Sequence, residues 1–103
     1  MSIFQQLYGI GKKVDLKNII EQGAFLVDVR TTSEFAQGHV KGSVNIPLDK
    51  IAEKLDQFEG RKNIIVFCLS GGRSTQARLI LEKNGFTNVI DGGTWEHVNQ
   101  YVK

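Results

Sequence analysis

Cys68, Arg73 and Ser74 stand within one short stretch, Phe67-Cys68-Leu69-Ser70-Gly71-Gly72-Arg73-Ser74, directly after the apolar run Asn63-Ile64-Ile65-Val66-Phe67. Cys68 is the only cysteine in the chain. A thiol between a strand-like run and a glycine turn, with an arginine close behind, points to thiolate chemistry. The stretch from Ser70 to Ser74 is expected to open a helix. The first amides of a helix have no carbonyl partners, and its dipole places partial positive charge there. Gly71 and Gly72 let the backbone curl so that successive amides face one anion. Arg73 and that helix start both favour thiolate over thiol at Cys68. The competing reading is an inert core cysteine at a strand end. An inert thiol is not expected in an electropositive, partly open loop, so the loop reading is preferred.

A thiolate of this kind suits phosphate-ester attack, acyl transfer, disulfide exchange or sulfur transfer. Acyl transfer by cysteine calls for a paired histidine. His39, in Ala36-Gln37-Gly38-His39, and His97, in the last helical stretch, lie in no loop expected to face Cys68. Disulfide exchange wants a resolving cysteine, which a single cysteine cannot supply. Phosphate attack and sulfur transfer remain.

The elements that position this loop are legible from the hydrophobic pattern. Short β-branched runs fall at 25–29, 43–46, 63–67 and 88–90, and a short strand is expected around Lys13-Val14. Helical spacing lies between them. Asp15 caps a segment with Leu16, Ile19 and Ile20 on one face, ending at Gly23. Thr31 to Gly38 begins with capping-type residues. Leu48, Ile51, Leu55 and Phe58 repeat at helical intervals, and Ala77, Ile80 and Leu81 precede an Asn84-Gly85 stop. A last helix is expected from Thr94 onward.

This alternation predicts an α/β fold with a parallel sheet covered by helices on both faces. Right-handed crossovers bring the carboxyl ends of all strands to one edge, where ligands bind. The loops at Asp28-Val29-Arg30, Cys68–Ser74 and Asp91–Trp95 are therefore expected to open on one crevice.

The bulk numbers exclude several classes. With 103 residues, 41% hydrophobic and 23% charged, the chain is read as one domain spanning 1–103, with one core. The net charge of +2 is spread over scattered lysines and arginines, without a basic stripe, so no nucleic-acid partner is expected. No run approaches membrane-spanning length and the N-terminus lacks a signal-peptide pattern, so no membrane partner is expected and the cytoplasm is the expected location.

Cys68-x-x-Gly71-x-Arg73-Ser74-x-x-Ala77 resembles the active-site loop of single-domain rhodaneses, a sulfurtransferase family. Phe25-Leu26-Val27-Asp28-Val29-Arg30 with Glu34 resembles a first family signature. Gly38-His39-Val40-Lys41-Gly42-Ser43 with Asn45-Ile46-Pro47 resembles a second, and Gly92-Gly93 with Trp95 a last. The resemblance covers almost the whole chain. It implies a rhodanese-like three-layer sandwich with a five-stranded parallel sheet of order 1-5-4-2-3. Phosphatases on this fold carry five residues between cysteine and arginine. Here there are four, Leu69, Ser70, Gly71 and Gly72, a smaller nest suited to one sulfur atom.

The resemblance implies double displacement. Cys68 takes the outer sulfur of thiosulfate or a persulfide, carries it as a covalent persulfide, and passes it to a thiol, cyanide or a protein. No metal and no organic cofactor are implied. A small sulfur donor, a thiol or cyanide acceptor or a sulfur-relay protein are the expected partners, and the chain is expected to be a monomer. Leu69, Ser70, Gly71, Gly72, Arg73 and Ser74 form the expected substrate loop. Arg73 either contacts an anionic donor or ties the loop to a carboxylate such as Glu34. Asp28 and Arg30 order the neighbouring loop or form a plain surface pair. Ser70 and Ser74 donate to the persulfide, or Ser74 caps the helix. His39, Gly42, Asn45 and Pro47 are expected to set turns, and Gly92 and Gly93 to allow backbone close to the catalytic loop. Two readings stand beside an enzyme: a relay or binding module serving a dedicated partner, and a thiol redox sensor.

Overall fold

The computed structural model describes residues 15–102. Their order is α1 (Leu16–Glu21), β1 (Phe25–Asp28), α2 (Thr32–Gln37), β2 (Val44–Asn45), two 3-10 segments (Leu48–Glu53 and Leu55–Phe58), β3 (Ile64–Cys68), α3 (Gly72–Lys83), β4 (Val89–Thr94) and α4 (Trp95–Asn99). The four strands are parallel in the order β2-β1-β3-β4. That is the expected arrangement with its first strand left out. The strand expected at Lys13-Val14 falls outside the described residues, so the sheet has four strands among the described residues where five were expected.

β3 explains why the sheet has a core on both sides. Side chains alternate across a strand. Ile64, Val66 and Cys68 point to one face, with Val27, Ile51, Phe58, Ala77 and Leu81. Ile65 and Phe67 point to the other, with Leu16, Leu26, Val40, Ile90 and Val98. All five β3 residues are fully buried. Burying a side chain of this size contributes about 1.5–3 kcal/mol, so β3 is firmly held along its whole length up to Cys68.

The capping residues act as expected. Asp15 Oδ1 accepts from the Asn18 amide at 3.1 Å. Thr31 and Glu34 form a reciprocal capping box at the start of α2. The segment 48–58 is not the single α-helix its spacing predicted. Lys54, at φ −127° and ψ 31°, separates two 3-10 segments. The reason is visible in the pattern: Leu48 and Ile51, then Leu55 and Phe58, are each three apart, which fits the three-residue turn of a 3-10 helix. Pro47, with no amide proton, precedes the first.

Residues 91–94 also differ from expectation. They belong to β4 instead of a loop, and the register with β3 passes from Val66–Asp91 to Phe67–Gly93. Gly92 is thus the extra residue of a β-bulge. A Cβ at Gly92 would stand 2.7 Å from Val98 Cγ2 and 3.0 Å from Ile65 Cγ2. The close approach Gly92 permits is therefore to α4 and β3, and not to the Cys68–Ser74 loop as expected. Gly93 does approach that loop, through its carbonyl.

Candidate active site

Cys68 ends β3, and residues 69–71 turn the chain back into α3. Gly71, the residue before the helix, has φ +104°, a left-handed conformation that glycine adopts without strain. That turn aims two amides at the sulfur. Gly71 N donates to Cys68 Sγ at 3.0 Å and Ser74 N donates at 3.3 Å. The helix start and the Cys68 sulfur are therefore one unit, as the glycine spacing implied.

The thiol is not partly open, as the sequence had suggested, but fully buried. The turn that supplies the amides also covers the sulfur. Burial pushes the Cys68 thiol up. The hydrogen bonds outweigh it, from the Ser74 hydroxyl first and then from the Ser74, Gly71 and Ser70 amides, so that the thiol lies below its ordinary value of 9.0. Ser74 has a single hydroxyl proton with three claims on it. The fully buried hydroxyl stands 3.0 Å from Gly71 O and 3.4 Å from Gly93 O. When it turns to Sγ instead, it stabilises thiolate. It caps no amide of α3.

Arg73 is tied to a carboxylate. Its guanidinium donates to both oxygens of Glu34, at 2.8 and 3.1 Å. Glu34 is anchored in turn by the Thr31 amide at 2.8 Å. With the Arg73 hydrogen bond as the largest cause, the Glu34 carboxyl is held down at about 2. Arg73 is raised correspondingly. The pair ties α3 to the first turn of α2, which is the carboxylate tie among the two roles the sequence offered for Arg73.

Asp28 and Arg30 are no surface pair. Asp28 is fully buried and Arg30 is 3% exposed. Arg30 Nε and Nη2 bind both Asp28 oxygens, the shortest at 2.7 Å, and Nη2 also donates to Gly38 O at 2.8 Å. The guanidinium lies 4.6 Å from the Trp95 ring centroid. Asn45 Nδ2 donates to the carbonyls of Asp28 and Arg30, both at 3.0 Å, and so fixes the same loop. A paired buried charge of this kind is costly to break, and it holds Trp95 over the mouth of the site.

Two cavities flank the loop. One, of about 330 Å³, is walled by Arg30, Glu34, Leu69, Trp95 and Glu96, with Gln37 and Gly38 completing it. The other, of about 350 Å³ and more apolar, reaches Arg73 from Val29, Leu48 and Ile80. Leu69 is half exposed. Ser70 is exposed and Gly72 sits in the first turn of α3.

Not all of the singled-out residues converge here. His39 stacks on Phe35 with ring centroids 3.8 Å apart, and its Nδ1 is 2.8 Å from Phe35 O. Gly42 has φ +83°, which suits a turn. His97 packs edge-on against Tyr101. Among the described residues no group of three or more His, Cys, Asp or Glu is placed to hold a metal ion, and no helix is long and apolar enough to cross a membrane.

Two further residues contribute, Asp91 and Glu96. Asp91 Oδ2 accepts from Thr75 Oγ1 at 2.9 Å, and its Oδ1 accepts from the Gly93 amide at 2.9 Å. Asp91 thus clamps the first turn of α3 to the bulged strand. Glu96 follows Trp95 into the cavity wall. The conjunction of Asp91 with Gly92-Gly93 was the available signal for the clamp. A carboxylate directly after Trp95, at the end of the Asp91–Trp95 stretch, was the signal for Glu96.

The parallel sheet places the Cys68 thiol, held below its ordinary value by hydrogen bonds, at the carboxyl end of a central strand and at the start of the next helix. Residues 13–96 match the family model described as the Rhodanese-like domain, and the chain belongs to that family. It is 33% identical over 114 residues to the putative mitochondrial thiosulfate sulfurtransferase of Schizosaccharomyces pombe, covering 97% of this chain and 78% of that one. It is 40% identical over 86 residues to the chloroplastic thiosulfate sulfurtransferase 16 of Arabidopsis thaliana, covering 72% of each. Among solved structures it resembles a rhodanese with anions from E. coli, at 34% identity and a TM-score of 0.66, over 73% of this chain and 91% of that one.

Proposed function

We propose that the protein is a sulfurtransferase that carries sulfane sulfur as a persulfide on Cys68. The observation that carries this reading is the pair of amides, from Gly71 and Ser74, already directed at the Cys68 sulfur. The thiolate attacks the outer sulfur of a donor, thiosulfate or a persulfide. The donor's sulfur–sulfur bond breaks, and sulfite or a thiolate leaves with the electron pair. The terminal sulfur of the persulfide is anionic and sits at the start of α3, where helix amides and the dipole stabilise negative charge, as an oxyanion hole stabilises oxygen. An acceptor thiolate, cyanide or a protein thiol then takes that sulfur and returns Cys68 as thiolate. The persulfide serves as the carrier, with neither metal nor organic cofactor. The anions bound by the E. coli rhodanese and the sulfurtransferase names of the relatives support this reading.

Intact-mass spectrometry after donor treatment tests it. The wild type gains one sulfur atom and Cys68→Ser gains none, because serine offers no thiolate at neutral pH. Loading of Cys68→Ser would overturn the mechanism. Covered by its own loop, the thiol also fits a relay that receives sulfur only from a docked protein. Turnover with small donors and acceptors alone speaks for the enzyme, and loading only by a protein persulfide speaks for the relay.

A further inference from the structure

The charges around the first cavity do not suit an anion. Both arginines near the loop are already committed. Arg73 is held by both Glu34 oxygens, and Arg30 by both Asp28 oxygens and by Gly38 O. Glu34 and Asp28 are cancelled in the same way. That leaves Glu96 in the cavity wall, exposed, with no ion pair or side-chain hydrogen bond among the described residues. The remaining surface is the half-exposed Leu69, which is bonded to Cys68, together with Trp95 and the neutral amide of Gln37. The cavity thus offers an apolar wall at Leu69, the residue next to Cys68 in the chain, and one uncompensated carboxylate at the rim. Its volume of about 330 Å³ is at the small end of ligand pockets, which run about 300–1,000 Å³.

We propose that this cavity seats the acceptor of the sulfur-transfer reaction, that the acceptor is a small thiol bearing a cationic amino group, and that Glu96 is the residue that reads that charge. The proposal rests on the Cys68 persulfide reading above. The aminothiol sits with its methylenes against Leu69 and its ammonium toward Glu96 and the Gln37 carbonyl oxygen. Its thiol loses a proton to solvent, and the thiolate attacks the outer sulfur of the Cys68 persulfide. A new sulfur–sulfur bond forms on the acceptor, and the bond to Cys68 breaks. Cys68 leaves as thiolate with the electron pair, received by the Gly71 and Ser74 amides. The product is the acceptor's persulfide, and no external oxidant or reductant is consumed. A carboxylate-bearing thiol of the same size meets Glu96 with like charge and is disfavoured.

The test uses full-length protein loaded with sulfur by a donor, with loading verified by intact mass. Its discharge is then timed with cysteamine, 2-mercaptoethanol and 3-mercaptopropionate. These acceptors are similar in size and differ in charge. Their intrinsic reactivities differ too, so each is compared between wild type and Glu96→Gln, where that difference cancels. An exposed ion pair contributes roughly 0.2–1 kcal/mol, which converts to at most about a fivefold change in rate constant. In Glu96→Gln the ratio of cysteamine to 2-mercaptoethanol in kcat/KM is expected to fall about threefold. The ratio of 3-mercaptopropionate to 2-mercaptoethanol should rise, and both changes should fade in high salt. Glu96→Lys should invert the preference. A uniform loss with all three acceptors, or no change in either ratio, would overturn the assignment while leaving the persulfide mechanism standing. Failure of the wild type to load sulfur would overturn both.

Discussion

Removing the charge of Glu34 should free that of Arg73 without moving it. In Glu34→Gln the side chain keeps an oxygen for the Arg73 guanidinium, and glutamine serves the capping box as glutamate does. What is lost is the negative charge opposite Arg73, now bound through contacts of 2.8 and 3.1 Å. The two side chains are 32% and 30% exposed, so solvent screens the pair and the strength of a buried bridge does not apply. A value of about 0.7 kcal/mol is appropriate, equivalent to about threefold in a dissociation constant. Thiosulfate is a dianion, and its KM should fall by about that factor as Arg73 turns from a structural tie into an available cation. The same substitution should lower Tm by about 3–6 °C. The pH dependence is a second readout. The Glu34 carboxyl is depressed from 4.5 to about 2 in the folded protein. Its stabilisation is therefore fully present above about pH 4.5 and is lost as pH falls toward about 2. Denaturant melts from pH 7 to 2 should show wild type and variant separated by a constant amount at neutral pH and converging on the acid side. An unchanged thiosulfate KM together with parallel pH curves would refute the claim that Glu34 neutralises Arg73.

Three further outcomes are expected. Ser74→Ala should raise the pH midpoint of Cys68 alkylation by iodoacetamide, since the Ser74 hydroxyl is the largest of the hydrogen bonds that lower the thiol; an unmoved midpoint would show that the hydroxyl stays on Gly71 O. Leu69→Lys should lower the thiosulfate KM, with a gain that shrinks at high salt, because residue 69 is half exposed at the rim; tight saturation by the wild type, or no response, would show that loop charge does not set donor choice. Gly92→Ala should cost about 1–3 kcal/mol by overpacking against Val98 and Ile65, and a thermal melt within error of wild type would contradict the close packing of the bulge.

The frame of this protein was readable because it depends on periodicities that local sequence carries. The run at 63–67 is apolar throughout, as a strand covered on both faces must be, and Asp15, Thr31 and Thr94 all cap helices in the structure. Where expectation failed, the deciding factor lay in another part of the chain. Nothing near residues 91–94 says that β4 runs on past Asp91. The bulge exists because Val98 and Ile65 close on Gly92. A spacing of three at Leu48–Ile51 and Leu55–Phe58 fits both a long α-helix and two 3-10 turns, and the break at Lys54 decides between them.

Arg73 shows the same division at the site. Its spacing from Cys68 marked the loop, yet the same four-residue gap is compatible with an arginine held for substrate and with one held for structure. The tie itself becomes visible only with the position of Glu34, brought across by the β1–α2 connection. The consequence is chemical. With both arginines paired to carboxylates, the backbone amides that reach the Cys68 sulfur are expected to suit a bare terminal sulfur anion and to add little for the sulfonate end of a dianionic donor. The donor expected to use such a site best is a persulfide with little other negative charge, with a kcat/KM above that of thiosulfate, and a higher kcat/KM for thiosulfate would contradict this.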